Sequence, residues 1–435
     1  MKPLAFTYGL TYGGVLASLL RPYVALLIYV CFAIIKPDSL WSWTVPEGNY
    51  SRIVALGLLG GWILNGCGSW ALGRARGIIL ALIGYWLITL VGALLAPDKT
   101  AAWEPVEPLA KILLPVVVGI TLIDSIDKVK QLVWVIVLSQ GFLAYEFNLT
   151  YYTTIFDPVE FTHGGLDNNG IAISMVTSAG MAFFLGIQAQ KLWQKGLVFL
   201  LAGLMAHVVL FSNSRGGMVA MIVTGIASFL LVPKQPKHYL VLALAVLLVL
   251  RLAGKGVQER FATIFAEKAE GGEGGRDKGG KRLDHWAACL QSVASRPLGV
   301  GPNHWPLTAP LYGLPKMAAH STWLQMAAEL GIPGIYCLGS FYGICVIRLW
   351  RLRRDDELAD PWQPAIARMV IASLVGFIVS AQFVTTDGTE LPYYITLAGA
   401  GTLKLLGTTA SRRASDAPSP NGEDETGVAG ALEPV

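Results

Sequence analysis

The stretch AAHSTWLQMAAELGIPG, residues 318–334, closes one long polar interval and opens an apolar helix. The interval begins at Lys255, and nearly everything before it reads as membrane helix. Helices resume directly after His320. A chain that breaks its apolar segments once, with a Gly-rich stretch carrying many Arg, Lys and His residues, keeps that stretch outside the lipid. Charged function concentrates in such loops.

Working outward from that junction, composition agrees. Hydrophobic residues make up 54% and charged residues 14% of the 435, with a mean hydropathy of +0.53. Soluble domains carry roughly 25% charged residues. Runs such as Ile78–Leu95, Leu132–Leu149 and Ile171–Ile187 approach the length a bilayer needs. About twelve or thirteen apolar runs can be counted, beginning with Leu4–Leu20 and Tyr23–Ile35 and reaching Tyr239–Leu252 before the loop. The first lacks a small-residue cleavage site and runs straight into the second, so no cleavable signal peptide is expected.

Basic clusters assign the sides. GRAR (73–76), DKVK (127–130), KQPKH (234–238) and RLWRLRRDDE (348–357) mark cytoplasmic loops. Alternation then puts 37–51, 96–107, 151–168, 212–217, 255–320 and 387–390 outside. Thirteen spans would leave the N-terminus outside, against its short basic start. One of the first two runs is therefore expected to be re-entrant or interfacial, with both chain ends inside. The fold expected is an all-α integral membrane protein of about twelve transmembrane helices, with one large outer loop containing short helices. Its parts are an N-terminal membrane region (1–160), helices with an outer Arg turn (161–254), the loop (255–320), C-terminal helices (321–410) and a tail (411–435). The tail is rich in Pro, Gly, Ser, Asp and Glu and is expected to be disordered and cytoplasmic. The five Cys residues are scattered and suggest neither disulfides nor a metal site.

Four places carry chemistry. His320 lies where the loop meets a helix, with Ser321 and Thr322 as capping residues and Glu329 deeper on the same helix. It is either a structural histidine or a general base, since imidazole titrates near neutral pH. In SNSRGG (212–217), Arg215 either snorkels to the interface or, with Ser214 and two glycines that admit close approach, binds an anion. The loop holds nine Lys/Arg against six Asp/Glu, a net of +3. Within it Arg276 and Arg282 flank a Gly/Lys-rich stretch. Leu283, Trp286, Leu290 and Val293 then recur at helical spacing, which predicts a helix lying on the bundle by that face. GVGPNHW (299–305) ends that helix and brings Asn303 and His304. In HGGLDNNG (163–170), Asp167, Asn168 and Asn169 suit a helix N-cap.

Absences narrow the chemistry. The chain has no GxxxxGK[ST], HExxH, CxxC or GxSxG, and no Asp-x-Asp in an outer loop. A charged leaving group would have to be met by Arg and Lys.

SNSRGG, then a long outer loop with RLDHW, RPLGVGPN and AHSTWLQMAAELGIPG, resembles the O-antigen ligase and polymerase superfamily of bacterial envelopes. The similarity in order and spacing covers roughly residues 160–350. LRPYVALLIYVCFAIIKPDSLWSWTVP (20–46) is similar to the branch of O-glycosylation ligases associated with exosortase A systems. The strongest string is His320, Leu324, Glu329, Gly331 and Gly334; EGGEGGRDKGGK (270–281) reads as an insertion before Arg282. The resemblance implies glycosyl transfer on the periplasmic face of the inner membrane. The donor is a glycan on undecaprenyl pyrophosphate. The acceptor is a hydroxyl of lipid A-core, another glycan or a protein. No metal, nucleotide or other cofactor is implied, and the partners are these substrates and membrane lipids, with no nucleic acid. It makes His320 the base and Arg215 and Arg282 the pyrophosphate ligands, with Arg276, Asn303, His304, Ser214, Asn169 and Glu329 as substrate-binding candidates.

The nearest alternative is an O-antigen or exopolysaccharide polymerase, which differs in its acceptor. An alternative of another class is a transporter of lipid-linked sugars, which would place charges along a path through the spans. The cations here cluster at one outer edge instead. A metal-dependent oligosaccharyltransferase would need paired outer acids. Asp38, Glu47, Asp98, Glu104 and Glu107 form no recognisable pair.

Overall fold

A computed structural model describes residues 2–158, 160–232, 239, 273–353, 360–385 and 389–415. The apolar run after Tyr239, residues 255–272 of the polar interval, and residues 416–435 of the tail lie outside the described residues. Arg276 falls on the first turns of a described helix, but its side chain lies outside the description. Among the described residues regular structure is helical, apart from an isolated bridge between His163 and Leu166.

The main helices are α1 (Lys2–Leu20), α2 (Pro22–Ile35), α3 (Tyr50–Leu64), α4 (Arg76–Leu95), α5 (Val106–Leu122), α6 (Ile126–Thr153) and α7 (Asn168–Gln188). They continue with α8 (Leu192–Phe211), α9 (Arg215–Leu231), α10 (Glu273–Ser295), α11 (Thr322–Leu352), α12 (Trp362–Ser380) and α13 (Leu391–Ser415). Among the described residues nine segments are long and apolar enough to cross a membrane, where about twelve were expected. Two of the apolar helices, α3 with 15 residues and α9 with 17, fall short of that length. At about 1.5 Å per residue they reach roughly 22 and 25 Å, against a hydrocarbon core of about 30 Å. Neither of the first two runs is short, contrary to the expectation for one of them. The second reaches 19 residues because the turn Pro37–Leu40 continues it past Lys36.

α7 forms the centre, packed on α8, α9 and α12. It is buried almost all round, and its sequence is correspondingly apolar or small on every face. Small residues let the backbones close up, as membrane helices require. A Cβ on Gly180 would stand 3.0 Å from that of Ala372 on α12. α13 threads between α5, α6, α11 and α12, and its helix runs to Ser415, five residues into the stretch expected to be disordered.

Charged contacts mark one end of the bundle. Arg348 near the end of α11 donates to the carbonyl of Arg74, and Lys130 approaches Asp360 at 3.6 Å. Lys404 is buried on α13, and its Nζ donates to the carbonyls of Ile120 at 2.7 Å and Ser69 at 3.1 Å. The first of these carbonyls is left over by the end of α5. The start of α11 lies at the opposite end, with the loops around residues 98–105, 163–168, 212–214, 296–321 and 381–391.

α11 is two helices joined at a break. Gly331 adopts φ 65, ψ −166, a conformation essentially closed to residues with a Cβ, and Pro333 follows. The break exposes backbone groups inside the bundle, and the 297–301 segment satisfies them. Val300 N donates to Ala328 O at 3.0 Å, Gly301 N to Glu329 O at 2.9 Å, and Ile332 N to Pro297 O at 2.8 Å. Irregular backbone at such depth is tolerated only when it is paired within protein. The approach is too close for side chains: a Cβ on Gly331 would stand 2.2 Å from Pro297 O, and one on Gly299 2.3 Å from Glu329 O. This is what GVG and GIPG are for.

Candidate active site

α10 lies against the start of α11, and the face it buries is not the expected one. Leu283 and Leu290 are 61% and 59% exposed, whereas His285, Ala288, Cys289 and Ser292 are buried. Small and polar residues let α10 approach the loop closely, while its leucines turn outward. Trp286 is shared between the two faces. Its Nε1 donates to Ala319 O at 3.0 Å, and its ring meets that of Phe383 at 6.5 Å. That contact fixes the residue next to His320.

His320 has φ 51, a left-handed conformation uncommon for a residue with a Cβ. Ser321 follows as the N-cap of α11, its hydroxyl accepting from Leu324 N at 3.3 Å. Gln325 Oε1 accepts from Ala319 N at 3.0 Å and from Thr385 Oγ1 at 2.9 Å. The chain therefore turns at His320 between two tethers. The imidazole is half-buried, and its pKa lies below the ordinary value of 6.5. Burial is the largest cause, followed by the positive charge of Arg282 and then by His285, with Asp167 acting in opposition. Arg282, His285 and Asp167 are therefore its electrostatic neighbours, and the ring is neutral at pH 7.

Arg215 is the first residue of α9. Ser214 is the N-cap, buried, with Oγ accepting from Gly217 N at 3.2 Å. The two glycines are required by packing. A Cβ on Gly216 would meet Phe383 at 2.7 Å, and one on Gly217 would meet Ala172 of α7 at 2.8 Å. Asn168 Nδ2 donates to Ser212 O at 2.9 Å, which joins the Arg215 turn to the start of α7. The Arg215 turn, Phe383, Trp286 and Ala319–His320 thus form one run of contacts.

The HGGLDNNG loop caps α7 as its composition suggests. Asp167 Oδ1 accepts from Gly170 N at 2.8 Å, and Asn169 Nδ2 donates to Asp167 Oδ2 at 3.2 Å. The loop is held from behind by Lys36, whose Nζ donates to Gly164 O at 2.5 Å. His163 is buried there, and burial and Lys36 push its pKa down to about 4.

Glu329, Asn303 and His304 gather where the 297–305 segment meets α11. Glu329 is 3% exposed and accepts from Asn303 N at 2.9 Å, Trp305 N at 3.1 Å and Gln325 Nε2 at 3.1 Å. Asn303 Nδ2 also donates to Glu104 Oε2 at 2.5 Å. His304 is buried; its Nε2 accepts from Asp98 N at 3.3 Å, which leaves Nδ1 to donate to Pro302 O at 2.8 Å. Glu329, Asn303 and Glu104 border a cavity of about 360 Å³, which Thr322 and Gln325 also line. Gln325 was not singled out in the sequence. Its signal was its place four residues before Glu329, one helical turn away. Among the described residues no group of three or more His, Cys, Asp and Glu side chains could hold a metal ion.

Residues 197–339 match the family described as O-antigen ligase, and the match contains Arg215, Arg282, His320 and Glu329. Residues 1–150 match a family of unknown function. No curated protein matches the chain.

Proposed function

We propose that this member of the O-antigen ligase superfamily is an inner-membrane glycosyltransferase. It moves a glycan from undecaprenyl pyrophosphate to an acceptor hydroxyl on the periplasmic face. His320, neutral at pH 7, takes the proton of the acceptor hydroxyl as its oxygen attacks the anomeric carbon. The bond from that carbon to the pyrophosphate breaks, and undecaprenyl pyrophosphate leaves with the bonding electrons. Arg215 and Arg282 hold the charge that develops on it, by the bidentate hydrogen bonds that guanidinium groups make to phosphate. Fixed donors of this kind are worth several kcal/mol in a site shielded from water.

One observation carries the reading. The segment matched as O-antigen ligase contains Arg215, Arg282 and His320, and Trp286 and Phe383 link their surroundings into one contact network. Ser214 and Asn169 then act by keeping the Arg215 turn and the start of α7 in place. Asn303, His304 and Glu329 keep the loop beside His320. Ligase and polymerase differ here only in what supplies the hydroxyl.

The test separates base from ligand. Purified His320→Ala is expected to bind the lipid-pyrophosphate donor nearly as well as the parent while transfer falls by roughly 10²–10⁴-fold. Arg215→Ala is expected to lose donor binding as well, and Arg215→Lys to recover it only in part, because an ammonium lacks the planar fork. Abolished donor binding with normal transfer at saturating donor in His320→Ala would make His320 a ligand and overturn its role as base.

A further inference from the structure

α10 is inside out for a helix in water. Leu283, Ala287, Leu290 and Ala294 recur at i, i+4, i+7 and i+11, which gathers them within about 60° of one face. All four are exposed. The opposite face buries His285, Ala288, Cys289 and Ser292, with Ala288 and Cys289 clustered against Ala319 and Ala328. Leu298, just past the helix, is 81% exposed. A helix on a soluble domain turns its apolar stripe to the core instead.

The path of α10 sets how deep that face lies. Trp286 is bonded to Ala319, just before α11. Beyond the end of α10, Pro297 O accepts from Ile332 N at 2.8 Å, and a Cβ on Gly331 would stand 2.5 Å from the carbonyl carbon of Leu298. α10 therefore runs beside the first half of α11, from the level of Ala319 down to that of Ile332. α11 is long and apolar enough to cross a membrane, and its far end carries Arg348, which donates to the carbonyl of Arg74. Roughly 24 Å of helix separates Ile332 from Arg348, less than the hydrocarbon thickness of about 30 Å. Ile332 thus lies below the lipid boundary on the loop side and, 56% exposed, faces acyl chains. Tyr336 and Ile347 are exposed further along the same helix. The leucine face of α10 joins this lipid-facing surface at Leu298. Leu290 rises at most roughly 11 Å above Leu298, into the headgroup layer and no higher. We propose that α10 is an arm set in the membrane, with Leu298 among the acyl chains of the leaflet on the loop side and Leu290 at their headgroup boundary. Lipid takes up leucines that water does not, and the small residues opposite let α10 pack closely on α11. The arm moors the loop segment that carries Arg282, whether or not the chain transfers a glycan.

The experiment places an environment-sensitive fluorophore at Leu283→Cys, Leu290→Cys or Leu298→Cys, with the native cysteines replaced. The full chain sits in nanodiscs of plain phospholipid, so any lipid contact is with the bilayer and not with a glycan donor. Ile347→Cys on α11 supplies the acyl-chain reference, and Lys316→Cys, exposed in the loop, the aqueous one. Quenchers are aqueous iodide and phospholipids spin-labelled at shallow or deep positions of the chain. The label at Leu298→Cys is expected to emit to the blue of that at Lys316→Cys, to resist iodide, and to lose more than half its emission to the spin-labelled lipids. Leu290→Cys is expected to respond most to the shallow spin label, and Leu283→Cys to be the least lipid-quenched of the three. Iodide quenching at Leu290 and Leu298 equal to that at Lys316 overturns the proposal, because the face would then be in water. So does lipid contact at Leu298 with Leu290 open to iodide, which would confine the membrane to the segment beyond the helix. Protection from iodide and spin-labelled lipid alike also overturns it and gives the face to protein; two chains per disc by light scattering would name that protein as a second copy.

Discussion

At the scale of single residues, the surroundings of His320 set its protonation. Burial and the charge of Arg282 keep the ring unprotonated, and Asp167 pulls the other way. If the neutral ring is the base, kcat/KM falls as pH drops through the His320 pKa, and the midpoint lies below 6.5, the ordinary value. Asp167→Asn removes a charge that favours the imidazolium, so the pKa falls and the acid limb moves to still lower pH. Asparagine still caps a helix, so α7 keeps its start. A pH–rate profile of the variant checks this, and a limb that stays put or moves to higher pH would separate Asp167 from the chemistry.

At the scale of elements, the break in α11 shapes the site. The carbonyls of Ala328 and Glu329 are free to receive Val300 and Gly301 only because the helix stops there. The same stop lets Glu329 receive the amides of Asn303 and Trp305. Gly331→Ala puts a Cβ 2.2 Å from Pro297 O in a backbone conformation that alanine resists. The conformational strain costs roughly 1–3 kcal/mol and the crowding a similar amount. Thermal melting in detergent is expected to show a large loss, with transfer lost alongside. Gly339→Ala, on the same helix with nothing within 4 Å, is the control and is expected to change stability by less than about 0.5 kcal/mol. Equal melting of the two variants would mean that the break is dispensable.

At the scale of the whole molecule, the ends of the bundle must face opposite sides of the membrane. Lys316 is exposed in the loop that leads to His320, and Arg74 is exposed at the other end. In a Cys-free background, Lys316→Cys is expected to react with a membrane-impermeant maleimide in intact spheroplasts. Arg74→Cys is expected to react only after permeabilisation. The reverse pattern would turn the site to the cytoplasm and remove the periplasmic assignment. Transfer is also expected to persist in EDTA, because the arginines are assigned the charge work. Activity lost to the chelator and restored by Mg²⁺ or Mn²⁺ would reassign that work to an ion.

The sequence by itself determined the helical membrane class, the cap at Ser321, the cap at Asp167 and the turn carrying Arg215. Each of these depends on neighbours a few residues away in the chain, through hydropathy, periodicity and capping. The face by which α10 docks was not legible. Period alone picked Leu283 and Leu290, but the docking face is the one where His285, Ala288, Cys289 and Ser292 meet residues distant in the chain, which periodicity does not encode. The reason for Gly216 and Gly217 was hidden too, because Phe383 and Ala172 approach them from distant parts of the chain. Only the tertiary structure brought Arg282 beside His320 and tied Glu329 to Asn303 and Trp305. Such pairings join residues far apart in sequence, and packing in three dimensions decides them.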